Sequence, residues 1–155
     1  MNSQERYFPA LNDIMSAEHT LGEILSPTPL MHNRNLSEKF GAEVMLKRED
    51  LQMVRSYKIR GAYNKIRSLS PEQVESGIVC ASAGNHAQGI AYAAKEFGCK
   101  AIIVMPTVTP LIKVNRTKSY GAEVILHGDV YDDACVKAKE IAEAEGYTFV
   151  HPFDD

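Results

Sequence analysis

The segment "LQMVRSYKIRGAYNKI" (51–66) sets Lys58 between Arg55 and Arg60, where the chain turns into a helix. A helix N-terminus already carries partial positive charge, so three cations there oppose one another. A lysine that acts as a nucleophile must be neutral, and neighbouring cations, a helix N-terminus and desolvation all disfavour the ammonium form. An amine activated in this way forms Schiff bases with carbonyl compounds. From charge context alone, a plainer reading is favoured, in which Lys58 is one of 17 Lys and Arg side chains on a solvated helix. A second segment, "CASAGNHAQG" (80–89), leaves a strand through Ser82, Ala83, Gly84, Asn85 and His86. Small residues let a ligand approach the backbone, and the N–H groups of a helix N-terminus make an anion site for a carboxylate or phosphate. An N-capping turn satisfied by Ser82 or Asn85 accounts for the same residues equally well.

Other chemistries fit less well. Gly84 and Gly89 have Walker A spacing, but Ile90 and Ala91 stand where that motif needs Lys and Ser or Thr, and no G-x-G-x-x-G follows a strand. His19, His32, His86, His127 and His151 form no H-E-x-x-H and no Cys/His cluster at ligand spacing, so no metal is expected. No G-x-S-x-G elbow of a serine hydrolase occurs.

The elements that must position these residues follow from punctuation. Gly77, Gly98, Gly121 and Gly146, 21 to 25 residues apart, each end a helical stretch and precede a short apolar run, as left-handed C′ glycines do. The runs are "IVCA" (78–81), "AIIVM" (101–105), "EVIL" (123–126) and "YTFV" (147–150), nearly continuous in hydrophobicity as for strands buried on both faces. Between them Ala87, Ile90, Ala91, Ala94 and Phe97, and later Ala134, Ala138, Ile141 and Ala142, recur at helical spacing. Ser70-Pro71 with Gln73 has the form of a capping box, and Thr109-Pro110 repeats the cap-then-proline pattern. Upstream, residues 10–25 and 33–40 are expected to be helical and 43–47 a strand. The helix opened by Lys58 is expected to bury Ile59, Ala62, Tyr63, Ile66 and Leu69. This alternation predicts an α/β fold, a doubly wound parallel sheet with helices on both faces. A solenoid is the weaker reading, because only the glycine and the strand type recur, not the sequence.

Composition narrows the partners. At 155 residues, 45% hydrophobic and 24% charged, the chain is long and apolar enough to bury a core. A net charge of −3 with no block of like charge argues against nucleic acid and against an anionic membrane surface. The longest apolar run, 101–105, is too short to cross a bilayer, and "MNSQERYFPA" lacks the pattern of a secretory signal. Cys80, Cys99 and Cys135 are odd in number and widely spaced, which suits a reducing compartment, so a cytoplasmic protein is expected.

The exact words of the sequence carry more. "SYKIRGAYNKI" and "SAGNHAQGIAYAA", preceded by "PTPLMHNRNLSEKFGAEVMLKREDLQ", resemble the fold-type II pyridoxal phosphate enzymes, specifically the threonine dehydratase branch. The resemblance runs from about Leu25 to "FVHPFDD". It implies a tryptophan synthase β-like fold, with residues 1–52 in the large domain, 53–150 as the small α/β domain, and 151–155 beginning the return to the large one. By the same resemblance Lys58 is the catalytic residue that holds pyridoxal 5'-phosphate as a Schiff base. Asn85 would hydrogen-bond the cofactor's phenolic oxygen, and Tyr57, counted with Lys58 and Asn85 as cofactor-binding, stands where the family usually has Phe, its added hydroxyl needing a partner if buried. Ser82, Ala83, Gly84, Asn85 and His86 form the loop that grips the substrate carboxylate. Related racemases tend to carry a serine at the place of Ala83, which acts as a second acid/base, so alanine here favours elimination over racemisation.

The resemblance implies deamination of L-threonine to 2-oxobutyrate and ammonia, the step that leads toward isoleucine, with L-serine giving pyruvate. A small-molecule amino acid is then the partner, and the complete enzyme a homo-oligomer. The family's glycine-rich phosphate loop and its later Ser or Cys facing the pyridine nitrogen have no counterpart in these residues, so the chain is expected to be an N-terminal fragment, inactive alone. The readings that compete are a serine dehydratase or serine racemase-like enzyme and a non-catalytic α/β module that binds an anion.

Overall fold

A computed structural model describes residues 8–153. The elements in chain order are α1 (Leu11–Gly22), β1 (Leu30–His32), α2 (Arg34–Phe40), β2 (Met45–Lys47), a short 3-10 turn (Glu49–Leu51), α3 (Lys58–Arg67), α4 (Pro71–Ser76), β3 (Ile78–Ala81), α5 (Asn85–Glu96), β4 (Ala101–Met105), α6 (Leu111–Ser119), β5 (Glu123–Leu126), α7 (Tyr131–Glu145) and β6 (Thr148–Phe149).

Four strands form a parallel sheet in the order β5-β4-β3-β6, and β1 pairs antiparallel with β2 in a separate two-stranded sheet. In the parallel sheet Ile78 lies opposite Ala101 and Ala81 opposite Val104. Alternation along the two central strands divides the core. Ile78, Cys80, Ile103 and Met105 face one layer with Ile59, Ile66, Ala87 and Ile90 from α3 and α5. Val79, Ala81, Ile102 and Val104 face the other, against Ala134, Ala138 and Ile141 of α7. The sheet is therefore doubly wound, as the alternation of elements predicts.

β3 and β4 are buried along their whole length, whereas β5 and β6 are exposed or half-buried at every position. The expectation of four strands buried on both faces thus holds only for the central pair, because an edge strand has a helix layer over part of its surface and a neighbour on one side only. α3 buries Ile59, Ala62, Tyr63 and Ile66 as its spacing requires, and Leu69 packs half-buried against the same core.

Local signals succeed and fail for identifiable reasons. Ser70 Oγ accepts from Gln73 N at 3.3 Å and Gln73 Oε1 accepts from Ser70 N at 2.9 Å, which completes the capping box. Thr109 does not cap α6. Its N–H closes a turn onto Pro106 O at 3.0 Å, its side chain is buried, and Pro110 becomes the N-cap. Gly77 takes φ 97°, ψ 174° and not the left-handed helical conformation of Gly146. A Cβ there would lie 2.5 Å from the Tyr147 ring, so glycine is needed at once for its φ and for room. Asp154 and Asp155, the end of the segment expected to return to a large domain, lie outside the described residues.

Candidate active site

In a doubly wound sheet, ligands sit beyond the carboxyl ends of the strands. Three chain segments line one cavity there: the start of α5 at His86, the first turn of α3, and the tail that leaves β6 through Val150 and His151.

Lys58 is the first residue of α3, is half-buried, and donates from Nζ to the carbonyl of Pro152 at 2.6 Å, 94 residues away in the chain. Its backbone N–H donates to Ser56 Oγ at 3.4 Å, and Ser56 is buried. The loop before it is tied down by Tyr120, whose hydroxyl donates to Met53 O at 3.1 Å. Among the described residues Arg55 is the non-glycine residue with positive φ, 61°, which costs about 1 kcal/mol and turns the chain into α3. Lys58 lines a cavity of about 240 Å³ with Tyr57, His86, His151, Pro152 and Phe153 among its walls. Tyr57 is 60% exposed, so its hydroxyl needs no protein partner. Its ring lies 5.6 Å from Lys58 Nζ, a cation–π distance.

The crowd of cations expected around Lys58 is largely compensated. Arg60 donates to Glu49 through Nε at 2.7 Å and Nη2 at 2.8 Å, a bidentate pair. Glu49 also accepts from Thr28 Oγ1 at 2.6 Å and Gln52 Nε2 at 3.4 Å. The Arg60 guanidinium foremost holds its carboxyl at about 2, against an ordinary 4.5. Asp50 is bonded to Arg48 at 2.7 Å and faces the Arg55 charge as well, and the Arg48 hydrogen bond holds it below its usual range. Half-burial and the Pro152 carbonyl, rather than uncompensated charge, set the surroundings of the Lys58 amine.

The second segment folds as a turn into α5, with Gly84 as N-cap and the helix starting at Asn85. Ser82 is buried, and its Oγ accepts from Gly84 N at 3.2 Å and Ala87 N at 3.3 Å. Ser82 therefore does the capping that the simpler account of this turn assigns to it. Asn85 is exposed at the head of the helix, Ala83 and Gly84 are half-buried, and His86 is buried. Of this turn only His86 lines the cavity of Lys58. Ser82, Ala83 and Gly84 precede, and Asn85 opens, the helix that packs along α3.

These residues fit a carbonyl cofactor in the chemistry of their groups. A primary amine at a helix head stands within one helix packing of an exposed carboxamide able to donate to a phenolic oxygen. Among the described residues no cluster of His, Cys, Asp and Glu could hold a metal ion. No helix among them is long and apolar enough to cross a membrane. Glu49, which neutralises Arg60, and the Pro152 carbonyl escaped the sequence reading. The pairings span 11 and 94 residues, and neither has a signal in local spacing.

The chain is similar to known proteins of one family. The family profile described as pyridoxal-phosphate dependent enzyme matches residues 22–155. The chain is 49% identical over 145 residues to the biosynthetic L-threonine dehydratase of Bacillus subtilis, covering 92% of this chain and 34% of that protein. It is 51% identical over 145 residues to the L-threonine ammonia-lyase of Thermotoga maritima, covering 94% and 36%. Solved structures that resemble it include processed threonine deaminase isoform 2 of Solanum lycopersicum, with a TM-score of 0.83 at 38% identity over 95% of this chain and 42% of that one. Maize serine racemase superposes with a TM-score of 0.89 at 33% identity over 96% and 45%. The chain spans about a quarter to a third of the length of the curated relatives it matches.

Proposed function

We propose that this chain, which belongs to the pyridoxal-phosphate dependent enzyme family, supplies the lysine and the substrate-carboxylate turn of an L-threonine ammonia-lyase that forms 2-oxobutyrate and ammonia. The observation that carries the reading is the placement of Lys58. A half-buried amine at the head of α3 shares one cavity with His86, on the helix that begins at Asn85. The names of the relatives, threonine dehydratase and threonine ammonia-lyase, support the choice of substrate.

Bound pyridoxal phosphate supplies an electron sink for the substrate α-carbon. Lys58 holds the cofactor through Nζ and, once released, takes the α-proton of L-threonine. For this the hydrogen bond from Nζ to Pro152 O must give way. Asn85, exposed at the head of α5, orients the cofactor through its carboxamide. The turn from Ser82 to His86 receives the substrate carboxylate at the helix N-terminus, where backbone N–H groups and the helix dipole favour an anion. Ala83 has no group that can deliver a proton to the opposite face of the α-carbon, so loss of the β-hydroxyl prevails over racemisation. L-Serine, treated alike, gives pyruvate.

The division into 1–52, 53–150 and 151–155 is supported by the two separate sheets, β1–β2 and the four-stranded one. Homo-oligomerisation is supported by exposed apolar side chains such as Leu111 and Ile112. Three unpaired cysteines support a cytoplasmic location. The test is borohydride reduction of the protein, as its gene encodes it, with pyridoxal phosphate, followed by peptide mapping and an assay of 2-oxobutyrate release. The cofactor should be fixed on Lys58, and Lys58→Ala should lose both the adduct and turnover. An adduct on another lysine, or full turnover by Lys58→Ala, refutes the assignment.

A further inference from the structure

We infer that Gly89 is a positioning residue for Lys58: the absence of a side chain there lets the main chain of Lys58 seat directly on the face of α5 that carries Asn85. The inference rests on the functional reading above.

A Cβ at Gly89 would lie 3.1 Å from Lys58 O, 3.2 Å from Lys58 C and 3.3 Å from Ala62 Cβ. Two of these three atoms are backbone, which cannot rotate aside. Gly89 is buried inside α5, where glycine is a poor helix former, and it has no positive φ to require it. Close approach is what the residue provides. Glycine as such does not account for it, because at Gly84 and Gly61 an added Cβ would meet nothing within 4 Å.

Asn85 and Gly89 are four residues apart, one above the other on the same face of the helix. The position where a Cβ would meet the Lys58 main chain therefore belongs to the same ridge as the side chain proposed to orient the cofactor. The separation between the Lys58 main chain and the Asn85 turn is set by how near α3 can come at this point. An alanine would move Lys58 away from α5 by a few tenths of an ångström. The reacting amine, tethered to that main chain, would leave its place relative to the α-proton.

The experiment uses the protein as its gene encodes it, loaded with pyridoxal phosphate, and compares five variants. Gly89→Ala should lower kcat and the rate of borohydride fixation roughly tenfold, the scale expected of a sub-ångström misplacement, with KM changed less than about twofold. Ile66→Val, which trims the same α3–α5 core farther along α3, should lower the melting temperature while leaving kcat within about twofold. Ala62→Gly added to Gly89→Ala should not restore kcat, since the Lys58 contacts remain. In Lys58→Ala supplied with ethylamine, Gly89→Ala should change the rescued rate less than about twofold, because the amine is no longer tethered.

Wild-type kcat in Gly89→Ala, recovery through Ala62→Gly, parallel loss in Ile66→Val, or a tenfold loss in the rescued background would each overturn the inference. So would failure of Gly89→Ala to fold, since the adjustment is then not confined to Lys58. A wild-type protein with no cofactor on Lys58 refutes the functional reading instead, and is recognised before any variant is compared.

Discussion

Replacing Glu49 with glutamine should destabilise the protein in a manner that pH controls. Glu49 accepts two hydrogen bonds from Arg60, one from Thr28 and a longer one from Gln52. A carboxyl held at about 2 in place of 4.5 corresponds to about 3 kcal/mol of preferential ionisation in the folded state at neutral pH. The Glu49 side chain is 16% exposed but that of Arg60 is 34% exposed, so solvent screening brings the expected loss to about 2 kcal/mol. A carboxyl whose value is depressed by folding contributes above its unfolded value and loses that contribution as the pH falls toward the folded one. The stabilisation should therefore be complete above about pH 5 and decline between 4.5 and about 2. Urea unfolding of the wild type and Glu49→Gln at pH 7, 4 and 2.5 measures it directly. The two midpoints should lie well apart at pH 7, and most of the gap should be gone by pH 2.5. Coincident midpoints at pH 7, or a gap that ignores pH, would show that the Arg60–Glu49 pair does not contribute the stability its geometry implies.

The other expectations are narrower. Ser82→Ala removes the acceptor of the Gly84 and Ala87 N–H groups and should cost about 1 kcal/mol, with a raised KM for L-threonine; an unchanged KM would separate the turn from the substrate. Ile103→Ala, at a fully buried position on β4, should cost about 2–5 kcal/mol in denaturant titrations, and a loss below that range would mean the core collapses around the cavity. Gly77→Ala would force a methyl into the Tyr147 ring at 2.5 Å and hold an alanine at φ 97°, costing about 2 kcal/mol or more; hydrogen exchange should show the loss first at Thr148, whose N–H pairs with Gly77 O. Ala83→Ser should add D-amino acid to the products in a chiral assay, and a product mixture free of it would remove the argument from Ala83.

What could be read along the chain was what depends on neighbours in sequence. Periodicity placed Ile59, Ala62, Tyr63 and Ile66 on the buried side of α3, and all four are buried. Apolar runs located β3, β4 and β5 to the residue, because strand burial and helix amphipathicity have short periods that a single segment displays. The pair of segments containing Lys58 and Asn85 was visible for the same reason, since each is a local turn into a helix.

Tertiary structure decided everything that joins distant residues. β1 is three exposed residues with no alternation of their own, and only pairing with β2 makes them a strand. Thr109 failed as a cap because a turn to Pro106 rotated it inward. The charges around Lys58 looked additive along the chain, yet in space Glu49 cancels Arg60. The approach of Gly89 to Lys58 and the bond from Lys58 to Pro152 exist only once α3, α5 and the tail after β6 are packed. Local sequence dictates which backbone conformation and which face a residue takes, whereas distances between segments come from closing the core, and it is those distances that place an amine against the groups it serves.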